Sequence, residues 1–311
     1  MRISGHVLGA TLAMVGFSTL WANDQMRTWT LASGTEVEAE IVAYDEANQE
    51  VTLRRPNREE FELKNRDLST LDRAWVLQWV EKDEEARALL AEVGGTVTEH
   101  ETHGDYPTVY AVYQPEDAEA AEARPLLMLF HPGGDGRRSI YRYLEAAAKL
   151  EITLVSFESF QNTDDDPEEE AALLARFREV LPQVESAVAH DPQQVYMGGM
   201  SGGAWRAYHY AAQVDRPWAG ILAAGGWLGG PKYRGLPYPS MRVAMMNGDK
   251  DVGAKQWLDD DADRLQSVGC EISVHAFEGG HQLAPPSVQE KALRWLLKRE
   301  LPREDAITED L

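Results

Sequence analysis

The sequence is poor in cysteine and in positive charge. Cys270 is its only cysteine, so one chain can form no intramolecular disulfide, no Cys-rich zinc site and no dithiol redox pair. Lysine and arginine number 30 against 52 aspartates and glutamates, a formal net charge of −22. A surface of that sign repels phosphate backbones, which argues against nucleic acid as a partner, and it disfavours anionic lipid surfaces. Long apolar runs are scarce as well. The one candidate, Val7 to Leu20, is interrupted by Gly, Thr and Ser and falls short of the roughly 20 strongly apolar residues that a span needs. With Arg2 before it and the small Ala22 after it, residues 1–22 read as an export signal. The expected location is therefore secreted or periplasmic.

Enough remains to build a folded protein: 43% of the 311 residues are hydrophobic, and that length suggests two domains. Residues 27–82 have a β grammar of their own. Val37, Ala39, Ile41 and Ala43 alternate with polar residues, and Val51-Thr52-Leu53 and Phe61-Glu62-Leu63 continue the period of two. Turn residues Asp45 to Gln49 and Pro56-Asn57 separate these runs. Leu68-Ser69-Thr70-Leu71-Asp72 then opens a helix running to about Lys82. The Arg-x-Trp-Thr opening at Arg27 to Thr30, the strand spacing and the Leu-Ser-x-x-Asp element resemble the Sla-homology domain, an SH3-like module. That resemblance implies a small barrel that binds or spaces, contributes no catalytic residue, and could take a protein or cell-surface ligand. Trp29 reads as core rather than as a ligand platform. Residues 83–95 read as a helical linker ended by Gly94-Gly95.

Residues 96–301 follow a different pattern. Thr96 to His100 and Thr108 to Tyr113 alternate like a leading antiparallel pair. Strands and helices then alternate, which calls for a mostly parallel sheet flanked by helices, an α/β architecture. Strands are expected at Pro125 to Phe130, Ile152 to Phe157, Val195 to Met197, Ala219 to Ala224, Met241 to Met246 and Ile272 to Phe277. Helices are expected at Ser139 to Lys149, Pro167 to Ala189, Trp205 to Gln213 and Ser287 to Leu301. Residues 302–311 read as a tail.

Chemistry concentrates at the ends of these strands. Gly198-Gly199-Met200-Ser201-Gly202-Gly203-Ala204 stands between a strand and a helix, the setting of a nucleophile elbow. Its small residues let backbone pass close to backbone while the serine hydroxyl stands at the tip. Phe130-His131-Pro132-Gly133-Gly134-Asp135-Gly136 is a glycine-rich loop able to bring a backbone N–H to a developing oxyanion. Asn247-Gly248-Asp249-Lys250-Asp251 and Gly279-Gly280-His281 follow two later strands. A serine, an aspartate and a histidine thus occur in that chain order, each beyond its own strand.

That order and those motifs resemble the α/β-hydrolase family, closest to secreted esterase branches of the polyhydroxybutyrate-depolymerase-like and feruloyl-esterase-like kind. The resemblance implies an α/β-hydrolase fold with Ser201 as nucleophile, His281 as general base and acid, and Asp251 as the orienting carboxylate. Asp251 is preferred to Asp249 because the acid of such proteins usually follows the glycine by about three residues, whereas Asp249 would sit inside the turn. Gly202 and either Gly133 or Gly134 carry over as oxyanion donors. His-Pro-Gly-Gly stands where many relatives have His-Gly-Gly. Trp227, beyond the strand Ala219 to Ala224, lies where ligands of open α/β sheets bind and is a candidate substrate contact, with core packing as the competing role.

No cofactor and no metal is implied. His100 and His103, with acids nearby, read as solvated loop residues. The expected function is an exported carboxylic-ester hydrolase with a Ser-His-Asp triad and an acyl-enzyme, acting on a small-molecule or carbohydrate-linked ester. The alternatives are an exported binding protein with an idle hydrolase domain, or a serine peptidase of the same fold.

Overall fold

The computed structural model describes residues 26–116, 124–163 and 166–299. The expected export signal (1–22) and tail (302–311) lie outside these residues.

The N-terminal strands are β1 (Arg27–Thr30), β2 (Glu36–Asp45), β3 (Glu50–Arg54) and β4 (Glu60–Lys64). They form one antiparallel sheet in sequence order. Alternation places Ala39, Ile41, Val51 and Leu53 on the inner face around Trp29, which is fully buried. Its indole N–H donates to the Ala39 carbonyl at 2.8 Å, so the one polar atom of the ring is satisfied inside the core. Trp29 is a core residue, and the Trp75 ring meets it edge-on.

Helix α1 (Thr70–Val93) closes this sheet. Ser69 caps it by accepting the Asp72 N–H, a device worth about 1 kcal/mol. The buried Asp72 carboxylate then takes the Ser69 hydroxyl at 2.7 Å, the Thr30 N–H at 2.9 Å and the Arg27 guanidinium at 2.6 Å. The Leu-Ser-x-x-Asp element is therefore the joint between the first strand and the helix. The helix runs unbroken past Lys82 to Val93, so the stretch expected to be a helical linker continues the same helix. Leu89, Leu90 and Val93 pack against the core of the second sheet, and the helix stops where Gly94 turns to φ +76°.

The second sheet contains β5 (Thr96–Glu101), β6 (Val109–Gln114), β7 (Leu126–Phe130), β8 (Thr153–Phe157), β9 (Val195–Met200), β10 (Gly220–Ala224), β11 (Arg242–Gly248) and β12 (Glu271–Phe277). Their order is β12-β11-β10-β9-β7-β8-β6-β5. β5 and β6 pair antiparallel, as does β6 with β8, and every other pairing is parallel. The sheet is thus mixed and mostly parallel. β7, β8 and β10 are buried at every position, as strands covered on both faces must be.

One face carries α3 (Pro167–Ala187), α4 (Gly202–Gln213) and α6 (Val252–Ser267); the other carries α2 (Gly136–Lys149) and α7 (Pro286–Leu296). A short helix, α5 (Pro231–Arg234), follows β10. Phe130, Phe157, Phe160, Phe177 and Tyr210 form a continuous aromatic cluster on the first face. No helix of the described residues is long and apolar enough to cross a membrane.

Helix α6 has no counterpart in the sequence expectations. Only Ala254, Asp261 and Leu265 are buried along it, too thin an apolar stripe to register as a helical period. Six parallel strands, in the order β8-β7-β9-β10-β11-β12, carry their C-terminal loops to one edge of the sheet, and the candidate site is built there.

Candidate active site

Ser201, between β9 and α4, has φ +55° and ψ −120°, a region a non-glycine residue enters only at a cost of about 1–3 kcal/mol. The surrounding contacts hold it there. Its N–H donates to the Ala224 carbonyl at 2.8 Å, and its own carbonyl accepts the Trp205 N–H at 3.1 Å. The glycines are required by space: a Cβ on Gly199 would lie 2.8 Å from the Gly203 carbonyl carbon, and one on Gly203 would lie 2.8 Å from that of Phe130. Strand β9, helix α4 and the end of β7 meet with no room for side chains. The Gly202 N–H has no acceptor among the described residues.

His281 lies between Ser201 and Asp251. Its Nε2 is 2.9 Å from Ser201 Oγ and its Nδ1 is 2.7 Å from Asp251 Oδ2. An ionised carboxylate can only accept, so Nδ1 carries the imidazole proton and Nε2 presents its lone pair to the serine hydroxyl. Asp251 is buried, and its other oxygen accepts the Ala254 N–H at 3.1 Å, capping α6. The helix start and the orientation of the His281 ring therefore depend on the same side chain.

The neighbouring acid has a different place. Asp249 Oδ1 accepts the Gly279 N–H at 2.9 Å. The Asp249 and Lys250 N–H groups donate to the Phe277 and Gly279 carbonyls. Asp249 ties the acid loop to the histidine loop rather than closing its own turn. Below the His281–Asp251 pair sits Gly225, at φ +57°. A Cβ there would lie 3.3 Å from both Asp251 Oδ2 and His281 Nδ1. Its role as the floor of the pair is not legible from the sequence, where it reads only as a strand end.

The glycine-rich loop after β7 is organised by His131. This buried imidazole accepts the Gly133 N–H on Nδ1 at 3.1 Å, and its carbonyl accepts the Gly134 N–H at 3.0 Å. Both N–H groups expected to face a substrate oxygen are thus spent inside the loop. Burial, with the charges of Arg142 and Arg138, pushes the His131 pKa down to about 3, so the ring is a neutral brace.

The loop after β8 reaches the same edge of the sheet and touches Gly202, and no motif in the sequence marks it. Arg206 on α4, fully buried, donates to the Phe160 carbonyl at 3.1 Å and the Gln161 carbonyl at 2.6 Å. It also pairs with both oxygens of Glu170. The next residue, Asn162, donates its N–H to the Pro132 carbonyl at 2.8 Å, and its carboxamide lies against Gly202.

Trp227 is half-buried, two residues beyond Gly225. The Leu228 N–H after it is anchored on the buried Asp261 carboxylate at 2.9 Å. Beside this segment His209 stacks on Tyr233, and Trp205 meets both rings edge-on. A separate cleft of about 790 Å³ lies between the N-terminal sheet, α1 and the glycine-rich loop, lined among others by Arg54, Trp79, Asp83, Gly133 and Arg137. Ser201 and His281 do not line it. Among the described residues, no group of three or more His, Cys, Asp or Glu side chains is placed to hold a metal ion.

No protein-family description matches the sequence, and no curated protein matches it. Solved structures do. An S-formylglutathione hydrolase from Agrobacterium tumefaciens superposes with a TM-score of 0.53 at 15% identity, covering 67% of this chain and 96% of that one. The esterase LipW from Mycobacterium marinum gives 0.53 at 19% identity, covering 68% and 83%. An esterase from Pyrobaculum calidifontis gives 0.54 at 13% identity, covering 69% and 90%. At these identities the likeness establishes the fold: the second unit has the α/β-hydrolase fold.

Proposed function

We propose that the chain is an exported serine hydrolase that cleaves carboxylic esters through an acyl-enzyme. The observation that carries this reading is the unbroken relay from Ser201 Oγ to His281 Nε2 at 2.9 Å and from His281 Nδ1 to Asp251 at 2.7 Å. A serine hydroxyl is a weak nucleophile at neutral pH and needs an adjacent base. In the proposed reaction Ser201 Oγ attacks the ester carbonyl carbon as His281 Nε2 takes its proton. The carbonyl π electrons move onto oxygen, where the Gly202 N–H donates. Collapse of this intermediate expels the alkoxide, which leaves as the alcohol with the proton from His281. Water then bonds to the acyl carbon as His281 Nε2 takes its proton, and collapse of this second intermediate breaks the acyl–Oγ bond, returning the proton to Ser201 and releasing the acid. Asp251 holds the imidazole in the tautomer the transfer requires and stabilises the imidazolium.

The esters are proposed to be small or carbohydrate-linked, with Trp227 contributing an aromatic surface beside the nucleophile. The N-terminal sheet with α1 is proposed to be an SH3-like module of the Sla-homology kind that binds a partner or surface outside the cytoplasm. The test is turnover of a panel of short-chain and sugar-linked esters by the native chain and by Ser201→Ala. Hydrolysis by the first and not the second is expected. Equal turnover by both would remove the reading.

A further inference from the structure

The loop that resembles an oxyanion-binding loop is short of free donors. Pro132 has no N–H, the Gly133 N–H is held by His131 Nδ1, and the Gly134 N–H is held by the His131 carbonyl. Gly202 is left without a partner donor from these three residues.

Asn162 stands where that partner is needed. A Cβ built on Gly202 would overlap the Asn162 carboxamide oxygen Oδ1, the nearest atom there, and would lie 2.6 Å from Cγ and 2.8 Å from Nδ2. The absence of a side chain at 202 is what admits the amide beside the Gly202 backbone. The carboxamide makes no hydrogen bond among the described residues, although it lies within a tightly held loop. Its backbone N–H is fixed on Pro132, and the two preceding carbonyls are fixed by the buried Arg206. The backbone is thus held in place, while the exposed carboxamide, unpartnered among the described residues, is left to meet a ligand atom. A half-turn of the amide exchanges Oδ1 and Nδ2, so a developing negative charge draws the NH₂ group towards it.

We propose that Asn162 is a catalytic residue whose Nδ2–H is the second oxyanion donor, acting with the Gly202 N–H. This rests on the serine-hydrolase reading above. When Ser201 Oγ bonds to the carbonyl carbon and the π pair moves to oxygen, the two donors hold that oxygen. Neither donor loses its proton. Both acylation and deacylation pass through such an oxyanion, so both steps depend on Asn162.

The test compares the full chain with Asn162→Ala, Asn162→Asp and Ser201→Ala on a short-chain ester, with a boronic acid as a mimic of the tetrahedral intermediate. Asn162→Ala should lower kcat about 10²- to 10³-fold, the usual cost of one lost oxyanion donor, with KM within about threefold. Asn162→Asp, which retains the shape but cannot donate when ionised, should lose at least as much. Boronic acid affinity should fall with kcat, and the melting temperature should hold because the side chain is exposed. A kcat for Asn162→Ala within about threefold of the native value, beside an inactive Ser201→Ala, overturns the proposal and leaves the hydrolase reading intact. A change confined to KM also overturns it. If the native chain neither hydrolyses the ester nor binds the boronic acid, both the proposal and the hydrolase reading fail.

Discussion

Asp249 and Gly279 are joined by a carboxylate-to-N–H bond of 2.9 Å, two residues before Asp251 on one loop and two before His281 on the other. Two aspartates of one turn therefore divide the work. Asp251 reaches the imidazole, and Asp249 holds the imidazole's loop in register with the acid's. Asp251→Asn should lower kcat by about 10⁴-fold through the wrong imidazole tautomer. Asp249→Asn should cost tenfold or less, on the order expected when a loop loosens without losing a reacting group. Steady-state kinetics on one ester checks both, and a reversed ranking would assign the triad acid to Asp249.

Gly225 makes a sharper claim about space. Alanine there would meet the His281–Asp251 pair at 3.3 Å and would have to occupy φ +57°. The left-handed conformation costs a non-glycine residue about 1–2 kcal/mol. Displacement of the pair by a fraction of an ångström should lower turnover by up to about 10²-fold. Gly225→Ala should therefore lose much more activity than stability, measured as kcat against the urea midpoint.

Arg206 is a buried cation satisfied by Glu170 and two carbonyls. Removing one partner of such a pair leaves the other charge or acceptors buried without compensation, at about 3–5 kcal/mol. Arg206→Met should show that loss in urea unfolding. Any residual folded protein should also lose kcat, because the loop bearing Asn162 is released. Undiminished stability would mean that Glu170 and the loop are solvated on their own.

Two histidines should make the fold sensitive to acid. Burial pushes the His131 pKa to about 3, with Arg142 and Arg138 adding to it. Burial likewise pushes His209 to about 3, with the Arg206 and Lys232 charges adding and the Leu228 carbonyl opposing. In the unfolded chain both titrate near about 6.5. Above that pH neither state is protonated and nothing is lost. Between about 6.5 and about 3 only the unfolded chain takes up the protons, so stability falls as pH falls, and below about 3 the loss is complete. Each histidine contributes a slope of about 1.4 kcal/mol per pH unit within that window. Urea unfolding across it should be flatter for His209→Gln than for the native chain by that slope. Parallel curves would place His209 in contact with water.

The sequence made the turn around Ser201 legible because one short segment contains both cause and consequence. Gly199, Ser201 and Gly203 declare a turn in which backbones touch, and the strand before it and helix after it follow from local pattern. The alternating buried strands were readable for the same reason. What escaped depends on residues brought together only by the fold. Asn162 has no motif around it, and its position follows from a carbonyl of Pro132 and a guanidinium 44 residues further on, Arg206. Helix α6 buries so few residues that its period is hidden among aspartates. That Leu89, Leu90 and Val93 of the helical stretch 83–95 pack against the second core also follows only from the fold. The spending of the Gly133 and Gly134 N–H groups on His131 is likewise invisible without coordinates.

The central claim is that Ser201 is activated by His281 and forms a covalent intermediate. Fluorophosphonate treatment of the purified full chain, followed by mass spectrometry of its peptides, tests this directly. The account predicts one adduct, on Ser201, which disappears in Ser201→Ala and forms far more slowly in His281→Ala. An unlabelled native chain, or an adduct on a different serine, would contradict it.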